Sequence, residues 1–70
     1  GRPSNTTQRR QQIVEATVRV MARSGFDGAS VQVIAKEAGL SAGLLHHHFS
    51  RKLDILYAVL DHLETVLHAR

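Results

Sequence analysis

Glycine and serine interrupt the helical pattern of this chain at short intervals, and their positions limit the fold more than any other feature. Gly39 follows a short apolar repeat, and Ser41, two residues later, precedes another. Glycine is favoured just after a helix, whereas serine is favoured just before one. A short helix, a tight turn and a new helix start are typical of a helix-turn-helix.

The first helix is predicted from apolar residues that recur at helical spacing from Ile13 to Met21. Thr6 or Thr7 is its expected N-cap, and Gly25 is its expected stop. Residues 1–6 contain a proline and are otherwise mostly polar, so they are predicted to form a flexible basic arm. Phe26, in the turn after the helix, is expected to pack back into the core.

Three further helices follow from the same reasoning. Ser30 is expected to cap a second helix that ends at Gly39, and the third helix is expected to span residues 42–49. Ser50 is expected to cap a fourth helix that begins at Arg51. No segment has the alternating pattern of a strand. The predicted fold is therefore all-α: a three-helix, homeodomain-like helix-turn-helix followed by a fourth, linking helix.

The fourth helix carries apolar residues on two faces. One stripe contains Leu53, Leu56, Tyr57, Leu60, Leu63 and Leu67, and the other contains Ile55, Val59 and Val66. A three-helix core needs only one apolar stripe. We expect the second stripe to lie uncovered and to meet a domain or subunit outside this chain. A helical protein-interaction module that acts through this helix is therefore an alternative function.

Composition excludes several classes of protein. The 70 residues contain no cysteine, which excludes disulfides and thiolate zinc sites. No apolar run reaches the roughly 18–20 residues of a membrane span, so a soluble, cytoplasmic protein without a membrane partner is predicted. Eight of the nine Lys and Arg residues lie within residues 1–52, whereas three of the six acids lie in residues 53–70. This asymmetry favours contact between one end of the molecule and a polyanion.

Three consecutive histidines, His46 to His48, form the most unusual motif. Consecutive helical side chains diverge by about 100°, so these three cannot chelate one metal ion. A catalytic histidine would need a nucleophile and an orienting acid, and Ser41 and Ser50 are better explained as caps, so neither an enzyme nor a cofactor is expected. Leu45 and Phe49 should face the core with His48 at its edge, which leaves His46 and His47 toward solvent. A partly buried histidine with two surface neighbours remains the plainer interpretation.

The basic pair Arg51 and Lys52 favours an interpretation in which this region binds an anion. Cations at a helix N-terminus are unfavourable by about 0.3–1 kcal/mol, and a bound phosphate reverses that sign. The third helix ends beside this pair. The combination predicts a helix that lies in the DNA major groove, flanked by helix starts that contact phosphates.

The segment SVQVIAKEAGLSAGLLHHHFSRKLDILYAVL, residues 30–60, resembles the DNA-binding domain of the tetracycline-repressor (TetR) family of bacterial transcription regulators. The resemblance begins near Ile13 and covers nearly the whole chain. Its most specific positions are Ile34, Ala35, Ala38, Gly39, Leu40, Ser41, Gly43, Leu45, His48, Phe49 and Lys52.

The resemblance implies a division of the chain into an arm (1–6), a DNA-binding head (7–52) and a linking helix (53–70). The linking helix would lead to an absent C-terminal domain for inducer binding and homodimerisation. The expected partner is a palindromic operator in double-stranded DNA of a bacterial cytoplasm, and repression is the expected outcome.

Site residues are carried over position by position. The expected base-reading residues are Ala42, Gly43, Leu44, His46 and His47. The expected phosphate contacts are Ser30, Gln32, Ser41, His48, Arg51 and Lys52, with Arg2, Arg9 and Arg10 in the N-terminal arm. His46 stands where the family often has tyrosine, which shortens the reach and makes the contact sensitive to pH near about 6.5.

Overall fold

The computed structural model describes residues 5–68, and these residues form four helices with no strand among them. Helix α1 spans Asn5–Gly28, α2 spans Val31–Ala38, α3 spans Ala42–His48 and α4 spans Lys52–His68. The all-α prediction is confirmed. Within these residues, no helix is both long and apolar enough to cross a membrane.

Helix α1 is the central helix of the fold, and it contains one break. Gly25 has φ 73° and ψ 179°, a non-helical conformation that glycine adopts at little cost. The predicted stop at Gly25 is therefore correct as an interruption, although one more helical turn follows it. The predicted N-cap is wrong, because α1 already begins at Asn5. Residues 5 and 6 of the expected arm are thus helical, and residues 1–4 lie outside the described residues.

The core lies where α1 meets the other three helices. Its largest fully buried side chains come from all four helices: Ile13, Val20, Ile34, Leu45 and Ile55. Thr17 is buried among them and donates its hydroxyl hydrogen to the Ile13 carbonyl at 2.8 Å, so its polar group is satisfied inside the helix. This shared core fixes α2 and α3 relative to α1.

Helix α4 faces the head with the opposite side from the one expected. Ile55 and Val59, on the stripe expected to be uncovered, are 0% and 4% exposed, whereas Tyr57 and Leu60 are 61% and 54% exposed. The prediction of two apolar stripes was correct, but the choice of the outer stripe was wrong. The head offers one contact surface to α4, and the stripe that contains Ile55 and Val59 faces it. Residues 63–68 are all exposed, so this end of α4 extends beyond the head.

Phe26 also departs from the prediction. It is 43% exposed and lies outside the core. Its ring is covered by Lys52, whose ammonium lies 3.9 Å from the ring centroid. The same ammonium donates a hydrogen bond to the Phe26 carbonyl oxygen. The aromatic ring is therefore shielded by a cation from α4 rather than by apolar packing.

Candidate nucleic-acid interface

The helix-turn-helix of α2 and α3 is held by backbone hydrogen bonds in the turn and by a serine cap at the start of each helix. Ser30 and Ser41 accept hydrogen bonds from the Val33 and Leu44 amides at 3.2 and 3.0 Å. Gly39 has φ 76°, and its amide bonds to the Lys36 carbonyl at 3.1 Å. The next amide, from residue 40, bonds to the carbonyl of residue 35 at 2.9 Å, which completes a Schellman motif. The helix-turn-helix prediction is confirmed with its three capping residues.

Helix α3 has one buried face and one exposed face. Leu45 and Phe49 are 0% and 3% exposed and attach the helix to the core. The opposite face presents Gly43, Leu44, His46 and His47 to solvent, with Ala42 and His48 half-buried at its edges. The seven residues of α3 contain no carboxylate. The expected orientation of all three histidines is therefore what the structure has.

The side chain of His46 is oriented by the C-cap residue of its own helix. Its Nδ1 lies 3.3 Å from the Phe49 carbonyl oxygen. A carbonyl oxygen only accepts, so this hydrogen bond requires the proton on Nδ1. In the neutral ring Nε2 is then an acceptor, and the exposed His46 side chain can present it to a partner.

His48 occupies a different environment from its two neighbours. Its ring meets that of His47 edge-on, with centroids 5.2 Å apart and an interplanar angle of 85°. Burial lowers the pKa of His48, and the charges of His47, Arg10 and Arg9 lower it further. The ring thus stays neutral to a lower pH than an ordinary histidine.

The basic pair after α3 is engaged in contacts with the protein. Arg51 forms an ion pair with Asp54 at 3.3 Å, and the same carboxylate accepts the Arg51 backbone N–H at 3.1 Å. Asp54 therefore performs the capping role that was expected of Ser50. The prediction for Ser50 was wrong because α4 begins at Lys52, one residue later than the expected start at Arg51. The spacing of an acid three residues after the N-cap was the missed signal.

Arg9 and Arg10 lie in helix α1 and not in an extended arm, which corrects their expected placement; Arg2 lies outside the described residues. Arg9 donates to the Gln12 side chain at 3.5 Å within the same helix. Arg10 donates to the His48 carbonyl at 3.1 Å.

Other basic residues are neutralised away from this face. Arg19 and Arg23 of α1 both bind Glu37 of α2, at 2.9 and 3.2 Å. The hydrogen bond from Arg19, followed by that from Arg23, holds the pKa of Glu37 below its ordinary value. These two arginines join α1 to α2, whereas Gln32 on α2 remains exposed.

Comparison of the sequence with known protein families identifies the family of this chain. The sequence profile described as "Bacterial regulatory proteins, tetR family" matches residues 13–59. The chain belongs to the TetR family. The matched residues run from the middle of α1 through the helix-turn-helix to α4, so the four helices correspond to the DNA-binding domain of a TetR-type helix-turn-helix regulator.

Two similar proteins are both described as HTH-type transcriptional regulators. The chain is 55% identical over 49 residues to the HTH-type transcriptional regulator PksA of Bacillus subtilis, covering 70% of this chain and 24% of that protein. It is 48% identical over 48 residues to the HTH-type transcriptional regulator BetI of Vibrio vulnificus, covering 69% of this chain and 24% of that protein. The chain thus spans about a quarter of the length of these relatives. Comparison with solved structures gives no significant match.

Proposed function

We propose that α3 is the recognition helix of a sequence-specific transcription regulator and that its outer face enters the DNA major groove. The observation that carries this proposal is the contrast between the two faces of α3. One face is fixed in the core, and the other presents small, apolar and imidazole side chains without any carboxylate: Ala42, Gly43, Leu44, His46 and His47. Imidazole nitrogens suit base-edge hydrogen bonds, and an exposed leucine suits a thymine methyl group.

Phosphate contacts are proposed on either side of α3. The hydroxyls of Ser30 and Ser41 accept from helix amides, and each keeps its own proton to donate to a phosphate oxygen. Arg51 can exchange its exposed partner Asp54 for a phosphate at little cost, because exposed ion pairs are weak. Gln32, His48 and Lys52 complete the proposed set of phosphate-binding residues.

The complete protein is proposed to be a ligand-responsive repressor that binds a palindromic operator as a homodimer in the bacterial cytoplasm. Residues 7–52 would form the DNA-binding head, residues 1–6 its basic N-terminal segment, and residues 53–70 the link to a C-terminal inducer-binding and dimerisation domain. The exposed end of α4 supports this division, as does the greater length of the relatives named transcriptional regulators, of which the match covers 24%. Those relatives are regulators by name, in keeping with a chain that is not an enzyme.

Salt dependence of binding tests the DNA-binding proposal. The chain should bind duplex DNA with an affinity that falls steeply as salt rises, because neutralised phosphates release counterions. Arg51→Ala should weaken binding to all sequences and reduce the log–log salt slope by about 0.9. His47→Ala should change the preference at particular base pairs instead. Lys36→Ala, an exposed charge on α2, is the control and should leave slope and preference unchanged.

A second candidate function has its own observation. The outer side of α4 exposes Tyr57, Leu60, Leu63 and Leu67, which suits an apolar protein partner. A protein-interaction module of this kind would bind through burial of apolar surface and respond weakly to salt. Absence of any salt-sensitive affinity for duplex DNA at low ionic strength would favour this second function over the first.

A further inference from the structure

We propose that Arg10 is a positioning residue for α3, which sets the sequence preference of the domain without binding DNA itself. It does so by fixing the C-terminal end of α3 against α1. This inference rests on the proposed function, since the position of α3 affects sequence preference only if α3 reads bases.

The Arg10 side chain makes two contacts with the end of α3. Its Nη1 donates to the His48 carbonyl oxygen at 3.1 Å, and its Cζ lies 4.3 Å from the centroid of the Phe49 ring. A planar guanidinium can stack on a ring with its face while an N–H at its edge donates a hydrogen bond. A lysine ammonium has no such plane: Lys52 meets the Phe26 ring as a point charge, so a lysine at position 10 would lose the planar guanidinium geometry at Phe49.

The end of α3 depends on contacts of this kind. The helix has only seven residues, and the last carbonyls of any helix lack a donor within the helix. Arg10 supplies such a donor from α1, 38 residues away in sequence. It also covers Phe49, the buried residue where the backbone becomes extended, with φ −137° and ψ 120°.

The proposed base-reading histidines lie directly before this end. His46 and His47 precede His48 by two and one residues, and His46 also bonds to the Phe49 carbonyl oxygen at 3.3 Å. A shift of the His48–Phe49 segment therefore moves both imidazoles relative to the core. Loss of the Arg10 contacts should weaken the discrimination between bases and leave the phosphate contacts of Ser30 and Ser41 in place.

Arg9 provides a matched control on the same helix. It is also an arginine of α1, but it donates a hydrogen bond within that helix, to Gln12 at 3.5 Å. Arg9→Ala removes the same charge and the same side-chain length as Arg10→Ala. Of the two substitutions, Arg10→Ala is the one that removes the hydrogen bond to His48 and the contact with the Phe49 ring.

The test compares a preferred duplex, selected by the unaltered chain from a random pool, with a scrambled duplex of equal length. Affinities are measured by fluorescence anisotropy over a salt series for the unaltered chain, Arg10→Ala, Arg10→Lys and Arg9→Ala. Both Arg10 variants should lower the ratio of preferred to scrambled affinity by about tenfold, the discrimination of one base pair. Their salt slopes should match that of the unaltered chain, and Arg9→Ala should keep the ratio.

A phosphate contact would give the opposite pattern. Arg10→Ala would then weaken both duplexes equally and lower the salt slope by about 0.9, and Arg10→Lys would restore both. That result, or an unchanged ratio in both Arg10 variants, overturns the positioning role. If Arg10→Ala does not fold, Arg10→Lys, which keeps the charge, decides between the two outcomes.

A second measurement reports the contact without DNA. The Arg10 charge contributes more than the Arg9 charge to the lowered pKa of His48. In an NMR titration, Arg10→Ala should raise the pKa of His48 more than Arg9→Ala does, and equal effects would contradict the contact. A chain that binds no duplex overturns the proposed function itself. A chain that keeps its preference without Arg10 overturns only the positioning role.

Discussion

Leu44 and Leu45 are adjacent leucines with opposite roles, and replacing each with alanine separates core from contact surface. Leu45 is 0% exposed and packs in the core, whereas Leu44 is 37% exposed on the outer face of α3. The two substitutions remove the same atoms from the same helix. Any difference between them therefore reports the environment and not the chemistry of the change.

The expected magnitudes follow from burial. A fully buried Leu→Ala change costs about 2–5 kcal/mol, because it loses transfer free energy and leaves a cavity. A domain of 70 residues has a total stability of roughly 3.5–10 kcal/mol. Leu45→Ala should therefore remove a large share of the stability. Leu44→Ala should cost roughly 1 kcal/mol, because the site is partly open to water and leaves no closed cavity.

Urea unfolding followed by circular dichroism at 222 nm measures both free energies of unfolding. Leu45→Ala should shift the midpoint strongly, and Leu44→Ala should shift it slightly. At a urea concentration where both variants are folded, Leu44→Ala should still change DNA sequence preference. Equal losses of stability would refute the assignment of the two faces, and so would a larger loss for Leu44→Ala.

Three further outcomes are expected from the caps and the half-buried histidine. Ser41→Ala should cost about 1 kcal/mol as the loss of an N-cap, whereas Ser50→Ala should cost little; equal costs in thermal unfolding would contradict the cap assignment. Gly39→Ala should cost about 1–2 kcal/mol from the positive φ alone, since a Cβ there meets nothing within 4 Å, and a neutral result would contradict that strain. The pKa of His48 is lower in the folded chain than in the unfolded chain. Its contribution to stability is therefore present above the ordinary histidine pKa and is lost as the pH falls through the folded value. The melting temperature should drop on acidification from about pH 7.5 to about pH 5, and His48→Gln should reduce that drop.

The helix-turn-helix could be predicted from sequence because its determinants are local. Ser30, Gly39 and Ser41 act on amides within a few residues of themselves, so their roles can be inferred without tertiary information. The inner face of α3 was predictable for the same reason, since Leu45 and Phe49 are one helical turn apart. The outward position of His46 and His47 follows directly from that spacing.

The remaining features depend on contacts between distant residues. Periodicity identifies both stripes of α4, but only its packing on α1 decides that Ile55 and Val59 face the core. Phe26 is shielded by Lys52, 26 residues away, which the composition of the turn does not indicate. The contact of Arg10 with His48 was likewise not visible in a sequence that suggested a basic arm.

The most direct test of the central claim, that the outer face of α3 reads DNA, is an amide NMR titration of the labelled chain with its preferred duplex at low salt. The largest shifts should fall on Gly43, Leu44, His46 and His47, with smaller shifts at the flanking starts of α2 and α4. Shifts concentrated on the exposed side of α4, around Leu60 and Leu63, with an unperturbed α3, would contradict the claim.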